Sequence, residues 1–249
     1  MDLRNATVLV TGATRGVGAA LTRRLLAEGA HVIALARDAD RLAEAARDAA
    51  GRLTPWPLDL GRREDVDAAV ATLLSRHPEL SVVINNAGVQ VASDFVRGEA
   101  AARLGDLRAE MTINLEAVVA LCAGLLPHLA SRPRAAIVNV TSGLALAPKR
   151  SAPVYCATKA GVRAFTRALR YQCEDAAPHV HVAEAVLPLV DTDMTRGRGA
   201  GKLSPDAAAF GLLEGLKAGR GEIYVGKAAA LPPLLRLAPG LGYRLLRDD

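Results

Sequence analysis

Aromatic residues are scarce in this chain. Phe, Trp and Tyr together make up 3% of its 249 residues, while hydrophobic residues as a whole make up 51%. A core must therefore be filled mainly by Ala, Val and Leu, which suits closely packed layers of helix and sheet. The same scarcity removes the interleaved aromatics on which nucleic-acid bases stack. The formal charge of +5 comes from arginines spread along the chain, with no polybasic block. Nucleic acid is therefore not an expected partner, whereas small anionic molecules are.

Cysteine is sparse as well. Cys122, Cys156 and Cys173 are odd in number and form no CxxC pair, which points to reduced thiols. The first residues, MDLRNATVLV, run straight into a strand-like stretch without the apolar core of a signal peptide. No apolar run of the roughly 20 residues that span a bilayer stands out. The expectation is a soluble, cytoplasmic protein without a membrane partner.

What the chain does contain is alternation. ATVLVTG (6–12) is a short β-branched run that stops at glycine, and VGAALTRRLLAE (17–28) has helical apolar spacing closed by Gly29. HVIALA (31–36) reads as the next strand, and DADRLAEAARDAA as a helix opened by an acidic cap. Further strands are expected at LTPWPLDL, 81–88, 135–142, 180–188 and GEIYVG, and helices at 64–76, about 103–129, about 153–175 and near 205–218. Short, fully apolar strands alternating with helices indicate an α/β fold, a parallel sheet covered on both faces. With no linker or repeat, residues 1–249 are expected to form one domain. Thr192–Ser204, TDMTRGRGAGKLS, is basic, Gly-rich and aperiodic, and reads as a mobile loop at the carboxyl end of a strand.

Three stretches carry chemistry. TGATRGVG (Thr11–Gly18) lies between the first strand and the first helix, with Gly12, Gly16 and Gly18 flanking Thr14, Arg15 and Val17. Such a turn brings a pyrophosphate against the positive end of a helix. NNAG (Asn85–Gly88) ends the fourth strand, where Asn86, Ala87 and Gly88 can hold backbone and cofactor at close range. PVYCATK (153–159) sets Tyr155 and Lys159 four residues apart, hence on one helical face.

Taken in this order, the motifs resemble the short-chain dehydrogenase/reductase family of the compact single-domain type, over essentially the whole chain. HPELSVVINNAGVQ, LLPHL and GEIYVG are similar to its DltE-like branch. The resemblance implies a Rossmann-type doubly wound sheet and a catalytic set of Asn114, Ser142, Tyr155 and Lys159. It implies that Lys159 hydrogen-bonds the nicotinamide ribose and that Asn114 holds a water linking Lys159 to solvent. It also implies cofactor contacts from Asp59, Leu60, Pro188, Val190 and Thr192, and a homodimer or homotetramer built through the two long helices.

The chemistry asks for these residues. Reducing a ketone needs a hydride on carbon and a proton on oxygen. A free phenol, with a pKa of about 10, is poorly matched to proton exchange near neutrality. The Lys159 ammonium and an oxidised nicotinamide nearby are together expected to lower it, and Ser142 to donate to the substrate oxygen as charge builds there. NADP(H) is the expected cofactor. The position after the second strand that would accept from a ribose 2′-hydroxyl is Ala36, and Arg37 follows it, with Arg15 inside the glycine turn. Asp38 reads instead as the acidic start of its helix.

The expected function is an NADP(H)-dependent oxidoreductase acting on a small carbonyl/alcohol couple. The alternatives are a secondary-alcohol dehydrogenase working oxidatively and a dinucleotide sensor without turnover. Val89, Val91, Leu144, Leu146 and Leu189 are expected to line the pocket, with Lys149 and Arg150 at its rim. Leu189 stands where the family commonly has glycine. His179 and His181 share a strand face without an evident third ligand, so no metal site is assigned. The apolar, arginine-spaced tail is expected to pack on the body or on a sister subunit.

Overall fold

The apolar strands assemble into a seven-stranded sheet in the computed structural model, which describes residues 1–248. They are β1 (Thr7–Thr11), β2 (His31–Ala36), β3 (Leu53–Pro57), β4 (Leu80–Asn85), β5 (Ala135–Ser142), β6 (Val180–Leu187) and β7 (Glu222–Tyr224). The spatial order is β3-β2-β1-β4-β5-β6-β7, and every neighbouring pair is parallel. The helices are α1 (Gly16–Ala27), α2 (Ala39–Arg47), α3 (Arg63–Arg76), α4 (Glu99–Ala102), α5 (Leu104–Met111), α6 (Ala117–Ala130), α7 (Pro153–Ala176), α8 (Pro205–Lys217), α9 (Leu231–Leu237) and α10 (Pro239–Arg247).

Burial on both faces explains why the strands are apolar throughout rather than alternating. Val8 and Val10 pack on one side with Leu21 and Leu25 of α1 and Leu212 and Leu216 of α8. Leu9, between them, packs on the other with Leu73 of α3, Leu121 and Leu125 of α6, and Val162 of α7. Removing one such leucine to alanine costs about 2–5 kcal/mol, because the cavity adds to the lost transfer energy. The prolines of β3, Pro55 and Pro57, lack an N–H and are tolerated because β3 is the sheet edge. Gly29, with φ +87°, turns the chain out of α1, and Asp38 caps α2 by accepting from the Arg41 N–H at 3.1 Å.

Two expectations change. The long helix expected over about 103–129 is one course, Leu104–Ala130, interrupted by a π-helical turn at Thr112–Glu116. An 18-residue window of it has a mean hydropathy of 1.6, so by length and composition it could cross a membrane. Its Leu121, Leu125 and Leu129 lie instead in the core, as in the core helix of an α/β layer. The stripe Val162, Phe165 and Leu169 on α7 also faces that core, so it does not supply the uncovered face expected for a subunit contact.

The strand order reverses between β1 and β4, and a crevice opens at the carboxyl ends of strands there. The glycine turn, NNAG, Ser142 and the segment after β6 all leave strands at that end.

Candidate active site

The glycine turn is built so that side chains cannot enter it. Gly12 and Gly16 adopt left-handed backbone, with φ of +67° and +50°. A Cβ on Gly18 would lie 2.0 Å from the Gly12 carbonyl oxygen, and one on Gly12 would lie 3.0 Å from Ala87 Cα. Asn86 locks the arrangement: its Nδ2 donates to the Thr11 carbonyl at 2.9 Å, while the Asn86 and Ala87 N–H groups donate to Thr11 Oγ1 at 2.9 and 3.0 Å. Helix α1 begins without a side-chain cap and without an acidic residue in its first turn. Its first N–H groups are thus aimed at the crevice, a donor set that fits the pyrophosphate of a dinucleotide. Thr14 and Arg15 form the outer part of the turn, and Val17 is buried beneath it.

At the end of β2, Ala36 is buried and Arg37 is exposed, with no ion pair among the described residues. Asp38 accepts from the Arg41 backbone and pairs with the guanidiniums of Arg15 at 3.3 Å and Arg41 at 3.2 Å, which hold its carboxyl below the usual range. Arg15 is therefore shared with Asp38, whereas Arg37 is the uncommitted cation. After β3, Asp59 folds back to accept from the Gly61 N–H at 2.9 Å, and Leu60 is buried.

Ser142 and α7 bring the candidate groups together. Pro153 starts α7 at a position where its missing N–H costs nothing, and Tyr155 and Lys159 follow on one face. Ser142 Oγ accepts from the Leu144 N–H at 3.2 Å, and the serine stands close enough to Tyr155 to favour its phenolate. Lys159 Nζ donates to the Val140 carbonyl at 2.9 Å and lies 5.9 Å from the Tyr155 ring centroid. Both residues are buried, and burial governs their protonation. Tyr155 is pushed up to about 12 and Lys159 down to about 8. Desolvation penalises the phenolate, and Ser142 only partly offsets it, so the protein's own groups alone do not lower Tyr155.

Asn114 sits inside the π turn, fully buried. Its Oδ1 accepts from the Val89 N–H at 2.8 Å, and its Nδ2 donates to the Val89 carbonyl at 2.8 Å and to Thr158 Oγ1 at 3.3 Å. Its amide thus clamps the segment after NNAG to α7. One turn earlier, Glu110 does the same for Val91, accepting from its N–H at 3.1 Å. Sequence reading missed Glu110; the available signal was its four-residue spacing from Asn114.

Val89, Val91, Leu144, Leu146 and Leu189 are each half-buried. Leu189 needs no left-handed backbone, since the described non-glycine residues with positive φ are Asn5 and Ala50. Its carbonyl accepts from the Leu203 N–H at 3.0 Å. Lys149 is not at the rim but buried, its backbone N–H donating to Cys156 Sγ at 3.4 Å. Arg150 is at the rim: it pairs with Asp248, and its N–H meets the Arg247 carbonyl at 3.0 Å. The tail thus packs on the body.

Pro188 is half-buried and Val190 buried where the chain leaves β6. Thr192 reaches the glycine turn, with its Cγ2 2.9 Å from where a Gly16 Cβ would sit. The base of the following loop is tied: Thr192 and Thr195 cap each other, and Lys202 bridges Asp191 and the Thr195 carbonyl. Its tip carries Gly197, Gly199 and Gly201, all with positive φ, and Arg198 donates across the cleft to Gln90. His179 and His181 bond separate carbonyls, those of Ala130 and Arg220, and do not converge.

A family model described as short chain dehydrogenase matches residues 6–202. The chain is 39% identical over 230 residues to the uncharacterised oxidoreductase DltE of Bacillus subtilis (strain 168), covering 90% of this chain and 89% of that one. A crystal structure of a short chain dehydrogenase from Burkholderia cenocepacia J2315 in complex with NADP superposes with a TM-score of 0.85 at 29% identity, covering 99% of both chains. A short chain dehydrogenase/reductase from Burkholderia phymatum in complex with NAD, 20% identical, gives the same TM-score of 0.85 over 100% of this chain and 98% of that one, a likeness of fold. Glycine turn, Ser142–Tyr155 pair and Lys159 stand together on one parallel sheet, and the chain belongs to the short-chain dehydrogenase/reductase family.

Proposed function

We propose that the chain is an NADP(H)-preferring oxidoreductase that interconverts a small carbonyl compound and its alcohol. The observation that carries this reading is Ser142 set against Tyr155 with Lys159 behind it, beside an uncapped α1 terminus. The exposed Arg37 next to buried Ala36 supports the phosphorylated cofactor. The B. cenocepacia relative's complex with NADP points the same way.

A bound nicotinamide supplies the hydride and, once oxidised, a positive charge near the phenol. Tyr155 gives its proton to the substrate oxygen in reduction and takes it back in oxidation. Ser142 Oγ donates a hydrogen bond to that oxygen as negative charge develops. Lys159 replenishes the proton and stabilises the phenolate. Moving Tyr155 from about 12 to near 8 takes roughly 5 kcal/mol, a demand that needs cationic charge in the closed cleft. Asn114 and Glu110 keep the 89–91 segment, one wall of the pocket, in register with α7. The pocket's half-buried Val and Leu side chains suit an apolar body on the substrate. On this reading residues 1–249 act as one domain, Thr192–Ser204 closes over the cofactor, and the protein works in the cytoplasm as a homo-oligomer.

The test is a spectrophotometric screen of ketones with NADPH and of secondary alcohols with NADP. Turnover that is lost in Tyr155→Phe supports the reading. Tight cofactor binding without turnover on any member of a broad panel favours a sensor instead.

A further inference from the structure

The loop after β6 carries Arg196, Arg198 and Lys202, and the three cations are not equivalent. Arg196 pairs with Asp193 and Lys202 with Asp191, acids at the loop's own base. Arg198 stands on the tip between them, its N–H held by the Thr195 carbonyl at 3.1 Å. Its side chain folds inward to half-burial and donates to Gln90 Oε1, and no carboxylate pairs with it among the described residues. Gln90 belongs to the wall beside the candidate catalytic groups. It follows Val89, whose N–H and carbonyl are both clasped by Asn114 at 2.8 Å, and Gly88, where a Cβ would lie 3.5 Å from Lys159 Nζ. Two residues of chain span at most about 7 Å, so the Arg198–Gln90 contact is made close to Lys159.

A neutral amide is a weak partner for this cation. The guanidinium fork fits both oxygens of a carboxylate, and a hydrogen bond between charged groups is roughly twice as strong as one between neutral groups. We infer that Arg198 selects for a carboxylate on the substrate, exchanging Gln90 for it, so that the carbonyl/alcohol couple is an oxo acid and its hydroxy acid. The carbonyl takes a hydride from the nicotinamide and a proton from Tyr155 to become the hydroxyl, and the carboxylate is unchanged. That step rests on the oxidoreductase reading, whereas the recognition of a carboxylate does not. One unpaired guanidinium matches one negative charge, since Arg196 and Lys202 are already engaged. Half-buried Val89 and Val91 flank Gln90 and suit an apolar chain on the same molecule. The phosphates of a cofactor are the other anions to weigh, but Thr192, not Arg198, is the loop residue set against the glycine turn.

Calorimetry of the NADPH-saturated protein with hexanoate and octanoate, each against its primary amide, reads the recognition without turnover. The wild-type protein should bind the better carboxylate about tenfold or more tighter than its amide. Arg198→Gln should bind the two alike while its NADPH affinity holds. Arg198→Lys, which keeps the charge and loses the fork, should fall between. Gln90→Glu gives Arg198 a carboxylate of its own and should also erase the preference, with the arginine left in place. Equal or undetectable binding of carboxylate and amide in the wild type would overturn the inference, as would a preference retained in either Arg198→Gln or Gln90→Glu. Weaker NADPH binding in Arg198→Gln with the preference intact would assign the arginine to a cofactor phosphate instead. Because binding alone is measured, failure here is distinct from failure of the oxidoreductase reading, which Tyr155→Phe turnover decides.

Discussion

Replacing Gly18 by alanine sets two effects of opposite sign against each other. Inside a helix, alanine is favoured over glycine by about 1 kcal/mol. Gly18 does not have the left-handed backbone that would resist a side chain. Space decides against it: the new Cβ would lie 2.0 Å from the Gly12 carbonyl oxygen and 2.6 Å from Asn86 Nδ2. Ordinary contacts between heavy atoms are about 3.5 Å, so the groups must part by roughly 1.5 Å. Neither neighbour can yield cheaply, because Gly12 closes the turn at φ +67° and Asn86 Nδ2 is held by the Thr11 carbonyl at 2.9 Å. Overpacking of this kind costs about 1–3 kcal/mol, and backbone resistance places it at the upper end. After the propensity gain, a net loss of about 2 kcal/mol remains, which lowers Tm by roughly 4–8 °C in a chain of this size. The same displacement shifts the α1 terminus, so NADPH affinity should fall at least tenfold. Thermal melts and NADPH fluorescence titrations read both effects. Gly105→Ala is the control, since a Cβ there meets nothing within 4 Å and Tm should hold or rise slightly. Wild-type Tm together with wild-type NADPH affinity in Gly18→Ala would refute the reasoning.

Tyr155→Phe removes the transferable proton and keeps the ring, so kcat should fall by about 10²–10⁴ while NADPH affinity holds; near-normal rates on a verified substrate would exclude Tyr155 as the acid/base. Ala36→Asp/Arg37→Leu places a carboxylate where a ribose 2′-hydroxyl lies and removes the uncommitted guanidinium. The ratio of kcat/KM for NADPH over NADH should drop by about tenfold or more, at roughly 1.5–3 kcal/mol per charged hydrogen bond, and an unchanged ratio would contradict the assignment of Arg37. Glu110 also links stability to pH. Its carboxyl rises in the fold from 4.5 to about 7, so the native state holds the proton more tightly and loses stability as pH climbs through that window. Glu110→Gln lacks this loss, and its Tm relative to wild type should be higher at pH 8 than at pH 4.5; a pH-independent difference would show that Glu110 is not desolvated as described.

The strands were legible because burial on both faces leaves an unambiguous local record, runs such as VLV and HVIALA bounded by glycine or charge. Caps were legible for the same reason. Asp38 and Gly29 act on atoms within a few residues of themselves, so spacing alone identifies them. The residues drawn from family likeness are also where chain order implies, with Ser142 ending β5 and Tyr155 and Lys159 sharing one face of α7. What escaped depends on contacts between distant segments. Nothing in LRAEMTINLE distinguishes an i→i+5 turn from an α-helix, yet the π turn is where Asn114 clasps Val89. Glu110 looks like one more acid on an exposed helix until α5 docks on α7 and the 89–91 segment closes over it. The protonation of Tyr155 escaped for the same reason. A neighbouring ammonium can be read from spacing, but desolvation is the sum over every atom that excludes water, and it raises the phenol more than Ser142 lowers it. The stripe Val162, Phe165 and Leu169 is the converse case: periodicity marked it as apolar and could not say that α7 spends it on its own core. Sequence thus named the candidate groups, whereas the free energy available to them is a property of what the fold packs around them, and Glu110 is where that difference is open to measurement.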